Sequence, residues 1–516
     1  MKNFTTSGPV NPEDHYFIPH RLDEDEVHNL INDKRYFILH APRQSGKTTA
    51  IRIFVDQLNA EETYKALYIN VEPAQAARSN VIDGLRTILS CFKTDISRCF
   101  GLEDPAYAYL QREANNPMLS GGALNEFLQF WSEHTDKPIV LFIDEIDSLV
   151  GDTLISVLRQ LRAGYVNRPK SFPQAVCLVG VRDVRDYLIW SDKEGKTILG
   201  GSAFNIKAES LVLADFSAQE VRNLYLQHTS QTGQKFTDEA IDYAFYLTQG
   251  QPWLVNALGR QACFVDVTDR SQPITKDVIE RAKETLIQRQ DTHLDVIINR
   301  LNEPRVRKII DAIITGSTSM LIADEDDKKY VEDLGLIKRS TMTIANPIYQ
   351  EILPRVLSSR FQYAIIEQSP DYKNADGSLN MQKLLHKFTE FYRENSEIWL
   401  EQFNYQESGP HLILMAFLQR VVNGGGTIHR EYALGTKRVD ILVTFQQQRI
   451  VLELKINYGP KALHDGLKQT AEYMDKSNAT EGHLIIFDRN KTKPWDEKVY
   501  QRQEQYDNKT INLWGM

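Results

Sequence analysis

Short apolar runs alternate with helix-like segments in the first part of the chain. The runs Tyr36–His40, Ala66–Val71, Ile139–Ile143 and Ala175–Val181 have the length and composition of buried strands. Because strands that alternate with helices are typical of βαβ units, the pattern predicts an α/β core with a mostly parallel sheet over about residues 36–184.

The periodicity becomes helical after this core. Over about residues 218–290, apolar positions such as Phe236 and Ile241 recur at the spacing of a helix face. A small unit over about 304–357 follows, and its order of helices and short strands predicts a winged helix. The polar stretch 368–378 is rich in turn-forming residues and predicts a linker. A further helical segment and a second α/β unit follow it.

The chain has 516 residues, which is too long for one hydrophobic core, so we predict several domains. The fold class is therefore α/β multidomain. The predicted boundaries are 1–215 for the first α/β core, 216–290 for a helical lid, 291–360 for a winged-helix-like unit, 361–400 for a linker with a helix, and 401–516 for the second α/β unit.

Composition excludes few functions. Hydrophobic residues at 42% and charged residues at 25% are ordinary for a globular protein. The formal net charge of −9 argues only weakly against nucleic-acid binding, because an acidic protein can carry a local basic groove. The four cysteines lack metal-ligand spacing, and neither a signal peptide nor a membrane-spanning apolar run is present. We expect a cytoplasmic protein without a membrane partner.

A phosphate-binding loop follows the first predicted strand. Ala41 takes the place of the first glycine of the GxxxxGK[ST] pattern, and a residue this small still fits a tight turn. Lys47 is expected to reach the β- and γ-phosphates of a nucleotide, and Thr48 to offer its hydroxyl to Mg²⁺. The predicted nucleotide-binding residues are Arg43, Gln44, Ser45, Gly46, Lys47, Thr48 and Thr49.

Two carboxylates end the third predicted strand. Asp144 is expected to hold Mg²⁺ through water, and Glu145 to polarise the attacking water as a catalytic residue. Chance acids after a core strand are the alternative, which the phosphate-binding loop upstream disfavours. Asp147 fits a helix-capping role as well as a role in the site.

Together these elements resemble the STAND branch of AAA+-like ATPases over roughly residues 16–357. Gly250-Gln251-Pro252 in the lid matches the GxP element of that branch. The resemblance puts a γ-phosphate sensor near residues 178–183, and makes Arg182 or Arg162 the candidate arginine finger, with an ordinary surface arginine as the alternative. It also places Tyr16 and Arg21 near the base pocket. Many acids surround Tyr330, so we favour a structural role for the winged helix over DNA contact.

Charged residues interrupt two apolar strands near the end of the chain. Glu453 and Lys455 are two positions apart on a strand and therefore share a face. The polar turn 446–449 folds this strand back toward Asp440, so that two carboxylates meet and can bind Mg²⁺ or Mn²⁺. Lys455 would orient the water that such a metal activates. A solvated hairpin face is the alternative, although charges in so apolar a strand are costly without a function.

This hairpin resembles the PD-(D/E)XK nuclease superfamily from about residue 405 onward, with Val439 in place of the proline. The resemblance makes Gln469, four residues before Tyr473 on the next helix, part of the catalytic set. The resemblance also implies a further carboxylate in the active site, for which Glu407 and Glu431 are candidates. The flanking basic residues form either a phosphate-binding rim or a charged sheet edge, and they are His429, Arg430, Lys437 and Arg438.

The chain as a whole resembles bacterial proteins that fuse an AAA-ATPase-like domain to a PD-(D/E)XK nuclease-like domain. The resemblance implies ATP and Mg²⁺ as cofactors, with Mn²⁺ an alternative at the nuclease site, and nucleic acid, above all DNA, as the partner. Our main hypothesis is an ATP-gated DNA endonuclease, in defence or DNA processing. The alternative is an ATP-driven signalling or scaffold switch whose last domain binds without cleaving. Homo-oligomerisation stays open, and a helicase is disfavoured because no further helicase motifs are present.

Overall fold

A computed structural model describes most of the chain as two compact units. One consists of Met1–Arg289 with Asp333–Gly335, and the other of Gln290–Glu332 with Leu336–Met516. The structure describes residues 2–516 apart from 115, 192–195, 290–291, 316–323, 339, 354–371, 403–413, 415–416, 419–425, 433–438, 457–459, 489 and 491–492. Within the described part, no helix combines the length and apolar character needed to cross a membrane.

A five-stranded parallel sheet forms the centre of the first unit. Its order is β2-β3-β4-β1-β7. The strands are β1 (Tyr36–His40), β2 (Lys65–Asn70), β3 (Ile139–Asp144), β4 (Ala175–Gly180) and β7 (Lys207–Val212). Every residue of β3 and β4 is buried, as expected for central strands covered on both faces. The four predicted strands are confirmed, with ends shifted by at most one residue, whereas β7 was not predicted.

Helices cover both faces of this sheet and give the unit two hydrophobic cores. Between β4 and β7 the chain forms a hairpin of β5 (Leu188–Ser191) and β6 (Lys196–Leu199). The helices are α1 (Glu24–Asn32), α2 (Lys47–Ala60), α3 (Val81–Phe100), α4 (Pro105–Glu113), α5 (Ala123–Glu133), α6 (Gly151–Gly164) and α7 (Gly200–Ala203). Their apolar stripes explain why so little of the sheet meets solvent.

Four helices follow β7 and correspond to the predicted lid. They are α8 (Ala218–Thr232), α9 (Asp238–Thr248), α10 (Pro252–Gln261) and α11 (Lys276–Arg289). Local sequence fixes where they begin: Ser217 and Glu220 form a capping box at α8, and the Gln251 side chain accepts the Leu254 N–H at α10. Pro252 occupies the first turn of α10, where its missing N–H costs nothing.

The second unit begins with helices and a short hairpin. The elements are α12 (Thr292–Arg300), α13 (Pro304–Thr315), α14 (Glu325–Asp333, whose last residue groups with the first unit), β8 (Ile337–Lys338) and β9 (Thr343–Ile344). The two short strands pair antiparallel. After residues 372–380, which lie partly within the predicted linker, comes α15 (Met381–Gln402).

A mixed six-stranded sheet completes the second unit, in the order β10-β11-β12-β13-β15-β14. The first three strands form an antiparallel meander, and β13 and β15 then join it in parallel. The strands are β10 (Gly426–Tyr432), β11 (Val439–Phe445), β12 (Gln448–Ile456), β13 (Glu481–Phe487), β14 (Tyr500–Tyr506) and β15 (Lys509–Gly515). Two helices accompany this sheet, α16 (Pro460–Ser477) and α17 (Trp495–Lys498).

Helix α16 packs on β12 and β13. Leu467 and Met474 on one face of this helix belong to the core, and Thr470 between them is fully buried. Gly466 allows the close approach, because a Cβ there would lie 2.7 Å from Leu484 Cδ1 and 3.3 Å from Lys455 Cγ. The sequence also predicts a helix at 411–422, but most of these residues lie outside the described part of the chain.

Candidate nucleotide site and candidate metal site

The predicted phosphate-binding loop connects β1 to α2. Gln44 and Gly46 adopt left-handed backbone conformations, with φ of 60° and 88°, and α2 begins at the next residue, Lys47. A Cβ at Gly46 would also lie 2.8 Å from Arg21 Nη1, so glycine is required here on both grounds. A turn of this kind directly before a helix N-terminus is the arrangement in which backbone N–H groups bind phosphate.

Lys47 is held inside this loop. Its ammonium donates hydrogen bonds to the carbonyl oxygens of Ala41 at 2.8 Å and Pro42 at 2.9 Å. Burial lowers the pKa of Lys47, while the nearby carboxylates Asp144 and Glu145 oppose that shift. The Ser45 hydroxyl is buried and has no hydrogen-bond partner among the described residues. A charged donor and an unpartnered hydroxyl in one loop fit a bound phosphate.

Asp144 accepts hydrogen bonds from three donors. The hydroxyls of Thr48 and Tyr68 both lie 2.8 Å from its Oδ2, and the Glu145 N–H lies 2.8 Å from its Oδ1. The carboxylate is 1% exposed. The sequence predicted that Thr48 and Asp144 share a metal site, and the structure brings them together. It did not predict Tyr68. This tyrosine lies two residues before the end of β2, and only the pairing of β2 with β3 shows that it lies near Asp144.

Glu145 sits in a left-handed conformation with φ of 58° and ψ of 37°. A non-glycine residue held there is strained, and such strain is found at functional sites. Burial raises the pKa of Glu145, and the charges of Asp147 and Asp144 raise it further. A carboxyl group with a raised pKa is a better proton acceptor near neutral pH, as the predicted role requires. Asp147 lies close to the site, and its buried Oδ1 has no hydrogen-bond partner among the residues that the structure describes.

The other predicted binding residues line the loop. Arg43 and Gln44 are exposed at its outer edge, and Thr49 accepts the Val10 N–H at 3.2 Å.

The two arginine-finger candidates differ in their surroundings. Arg162 is exposed on α6, whereas Arg182 forms a 3.1 Å ion pair with Asp333.

Arg21 joins the loop to the segment that enters the lid. Its guanidinium donates to the carbonyls of Ser45 and Ala214 and lies 4.6 Å from the centre of the Phe216 ring. Burial lowers its pKa. Gly250 packs on the same segment so tightly that a Cβ would lie 1.9 Å from the Phe216 carbonyl oxygen. Gly250 of the predicted GxP element thus packs against Phe216, the residue whose ring lies next to Arg21.

Tyr16 lies against the lid. Its hydroxyl donates to Gln231 Oε1 at 2.6 Å and lies 3.2 Å from His228 Nδ1, both on α8. Burial raises the pKa of Tyr16 to about 12, so the hydroxyl stays protonated. Phe4 packs on the Tyr16 ring at 4.8 Å. The first residues of the chain therefore contact α8, and the position of Tyr16 near the base pocket stays a prediction.

Comparison with known families agrees with this geometry. Residues 5–353, about two thirds of the chain, match the model of the AAA-like domain. The chain belongs to this AAA-like family. Residues 380–491 match a second family, described only as a domain of unknown function. No curated protein matches the chain.

The solved structures that match this chain have low sequence identity to it. The Walker-type ATPase PABY2304 of Pyrococcus abyssi has 17% identity and a TM-score of 0.47, and the match covers 68% of this chain and 99% of that one. The RuvB Holliday junction branch migration motor of Thermotoga maritima has 13% identity and a TM-score of 0.33, over 64% of this chain and 94% of that one.

The family and the loop geometry therefore assign the first unit as a P-loop ATPase domain. Such domains bind ATP together with Mg²⁺. The residues present fit that pair: a buried lysine, an unpartnered serine hydroxyl, and a threonine hydroxyl bonded to an aspartate.

The second group of predicted residues lies on β10–β12. Asp440 on β11 is the cross-strand partner of Glu453 on β12, as predicted, and Glu431 on β10 is the partner of Asp440. Lys455 Nζ lies 2.6 Å from Glu453 Oε1. Glu453 is fully buried, and neither carboxylate oxygen makes a hydrogen bond of normal angle with a described residue.

Helix α16 brings the predicted glutamine to the same strand. Gln469 and Tyr473 are each 6% exposed, and the Gln469 Oε1 atom has no hydrogen-bond partner among the described residues. Gly466, one turn earlier, lies against Lys455. We refer to Asp440, Glu453, Lys455 and Gln469 as the candidate metal site.

Parts of this site lie outside the described residues. Glu407, Lys437 and Arg438 are among them, and only the backbone is described for four residues, which are His429, Arg430, Glu431 and Asp440. Among the side chains that are described, no three histidine, cysteine or acidic groups cluster as a metal site would require.

Proposed function

We propose that this protein is an ATP-hydrolysing switch that gates a Mg²⁺-dependent DNA endonuclease of the PD-(D/E)XK type. The observation that carries the nuclease part is Glu453. It is a fully buried carboxylate without a hydrogen bond of normal angle to a described residue, and Glu453 is the cross-strand partner of Asp440 in the β11–β12 pair.

The free energy of such a carboxylate argues for a ligand. A buried charge costs several kcal/mol unless it is paired and hydrogen-bonded. Lys455 supplies a close cation, and among the described residues neither carboxylate oxygen makes a hydrogen bond of normal angle. A divalent ion would use these oxygens, since oxygen ligands are what Mg²⁺ and Mn²⁺ prefer. The unpartnered Gln469 Oε1 supports a polar ligand nearby.

The order of elements supports the same family. A helix, α15, precedes the meander β10–β12, and α16 and the parallel strand β13 follow it. In the superfamily that the sequence resembles, the carboxylates and lysine lie on such a hairpin beside such a helix. The description of residues 380–491 as a domain of unknown function leaves this proposal open.

Each residue has a definite part in the proposed chemistry. In the ATPase, Lys47 and the loop N–H groups would bind the phosphates, Thr48 and Asp144 would hold Mg²⁺, and Glu145 would accept the proton of the attacking water. In the nuclease, Asp440 and Glu453 would hold a metal, whose chemistry would be to supply a hydroxide from water. Lys455 would orient that water and stabilise the developing negative charge, and Gln469 would help to position it.

The remaining features of the proposal follow from the resemblance. We propose that the ATPase is of the STAND type, that α12–α14 with the β8–β9 hairpin form a winged-helix relay, and that the substrate is DNA in the cytoplasm. Homo-oligomerisation on ATP binding would fit this class. Nucleotide would act by favouring one conformation of the chain over another.

The test is cleavage of plasmid and oligonucleotide DNA by the full chain, with Mg²⁺ or Mn²⁺ and with ATP, a non-hydrolysable analogue, or no nucleotide. Lys455→Ala and Lys47→Ala are the informative variants. Lys468→Ala and Lys170→Ala are matched controls, since both lysines are exposed. We expect cleavage to need Lys455, to respond to nucleotide through Lys47, and to be unchanged in the controls.

Intact DNA of every form, together with normal ATP binding, would contradict the nuclease. The second candidate, a switch whose last domain binds nucleic acid or protein without cleaving, would then take its place. The ion pair of Lys455 with Glu453 is the observation that favours this candidate, because a lysine that neutralises the buried carboxylate reduces its need for a metal. A gel-shift assay in EDTA distinguishes binding from cleavage.

A further inference from the structure

Tyr68 forms a polar contact with the ATP site that no sequence motif indicates. It lies on β2, next to β3 in the sheet, and its ring packs partly buried against the core between the sheet and α2. Its hydroxyl lies 2.8 Å from Asp144 Oδ2. The hydroxyl group of this tyrosine therefore reaches the carboxylate expected to hold Mg²⁺.

The donors that hold the Asp144 carboxylate belong to separate elements of the fold. Oδ1 accepts the N–H of Glu145 within its own strand end, while Oδ2 accepts from Thr48 on α2 and Tyr68 on β2. Thr48 can keep this hydrogen bond when it is a metal ligand, because its O–H donates to Oδ2 while an oxygen lone pair remains for the metal. Tyr68 is the second side-chain donor to Oδ2, and it comes from a strand outside the phosphate-binding loop.

We propose that Tyr68 is a positioning residue for Mg²⁺: its hydroxyl fixes the orientation of the Asp144 carboxylate from β2 and so raises the affinity of the nucleotide-bound site for the metal. This proposal rests on the ATPase part of the proposed function and is independent of the nuclease part. Partners of this kind typically change metal affinity by about 10- to 100-fold.

The chemistry of the tyrosine suits this role. Burial and the neighbouring Asp144 charge raise the pKa of Tyr68, so the hydroxyl remains a proton donor throughout the physiological range. A hydrogen bond to a charged group is stronger than one between neutral groups. A neutral donor also leaves the negative charge of Asp144 available to the metal, which a lysine at this position would not.

The experiment compares Tyr68→Phe with Tyr64→Phe in the full chain. Tyr64 is a matched control, since its hydroxyl also donates to a side chain, Asn32 Oδ1, at 2.6 Å, outside the site. Binding of the fluorescent nucleotide mant-ADP is measured first in EDTA and then as a function of Mg²⁺ concentration. Thermal unfolding without nucleotide reports folding separately.

We expect Tyr68→Phe to bind mant-ADP in EDTA as the wild type does, and to need about tenfold more Mg²⁺ for half-maximal effect. Tyr64→Phe should match the wild type in both. A Mg²⁺ requirement within about twofold of wild type in Tyr68→Phe would overturn the proposal. Equal losses with and without Mg²⁺ would also overturn it, because they indicate a purely structural role. Failure of the wild type to bind mant-ADP would instead contradict the proposed ATPase.

Discussion

Arg182 Nε donates a hydrogen bond to Asp333 Oδ2 at 3.1 Å, and the two side chains are 14% and 8% exposed. Arg182 follows β4, at the position where the resembled ATPases sense the γ-phosphate. Asp333 belongs to the first unit together with Gly335, where a Cβ would lie 2.8 Å from Pro42 of the phosphate-binding loop. In this structure the candidate sensor is therefore engaged by an acid of its own chain, beside the loop.

Asp333→Asn should increase the preference for ATP over ADP. The substitution keeps the shape of the side chain and removes the charge that competes with phosphate for Arg182. A charge-assisted hydrogen bond of about 1.5–3 kcal/mol corresponds to about tenfold or more in the ratio of dissociation constants. Competition against mant-ADP measures that ratio. Asp326→Asn, at an exposed position, is the control, and an unchanged ratio in Asp333→Asn would show that the pair does not restrain Arg182.

The pH dependence of ATP hydrolysis should reflect Glu145. Because its pKa is raised, chiefly by burial and then by Asp147, the carboxylate is lost on acidification at a higher pH than for an ordinary glutamate. The rate at saturating ATP should therefore fall earlier as pH decreases. Asp147→Asn removes one cause and should move this acid limb to lower pH, whereas Asp136→Asn, at an exposed site, should not. Glu145→Gln should slow hydrolysis by about 100-fold or more while ATP still binds.

The two charges on β12 should depend on each other for stability in the absence of metal. Lys455→Met leaves the Glu453 carboxylate buried without its cation, which typically costs about 3–5 kcal/mol. Adding Glu453→Gln should recover most of this loss, because the double variant buries no charge. Hydrogen exchange of β12 in the full chain in EDTA gives the local stability of each variant. Additive losses in the double variant would mean that the two charges do not interact.

Acid should destabilise the protein through His293. This side chain is 6% exposed, its Nε2 lies 2.6 Å from the Tyr349 hydroxyl, and burial lowers the pKa of His293 to about 3. Below about pH 6.5 the unfolded chain binds a proton that the folded chain does not, so stability falls by about 1.4 kcal/mol per pH unit.

Urea unfolding of the full chain between about pH 7.5 and about pH 5 measures this dependence. His293→Gln should have a shallower acid limb than the wild type, while His386→Gln, at a side chain 65% exposed, should not. Identical slopes in His293→Gln and the wild type would assign the acid sensitivity to other groups.

Sequence alone predicted the elements whose residues follow a local rule. The strands β1–β4 are continuous apolar runs, and β11 and β12 carry charges that stand out against apolar neighbours. Strand β7 was not predicted because its segment, Lys207–Val212, mixes charged and apolar residues at the edge of the sheet. Strand β14, Tyr500–Tyr506, is mostly polar and exposed, so no apolar pattern could indicate it.

Contacts between residues far apart in the sequence are the part of the site that could not be predicted from sequence. The pairing of Thr48 with Asp144 could be inferred because each belongs to a known motif. Tyr68, by contrast, becomes a neighbour of Asp144 only through the parallel alignment of β2 with β3. The ion pair of Arg182 with Asp333 joins positions 151 residues apart, and no local pattern selects that partner.

Arg21 has a consequence for any partner that acts on the lid. One guanidinium satisfies a carbonyl of the phosphate-binding loop and a carbonyl of the segment next to Phe216, which Gly250 abuts without spare room. Rearrangement of the loop by phosphate therefore changes the free energy of that segment. Such coupling is reciprocal by thermodynamic necessity. A molecule that binds the lid would change the affinity for ATP by the same factor by which ATP changes the affinity for that molecule.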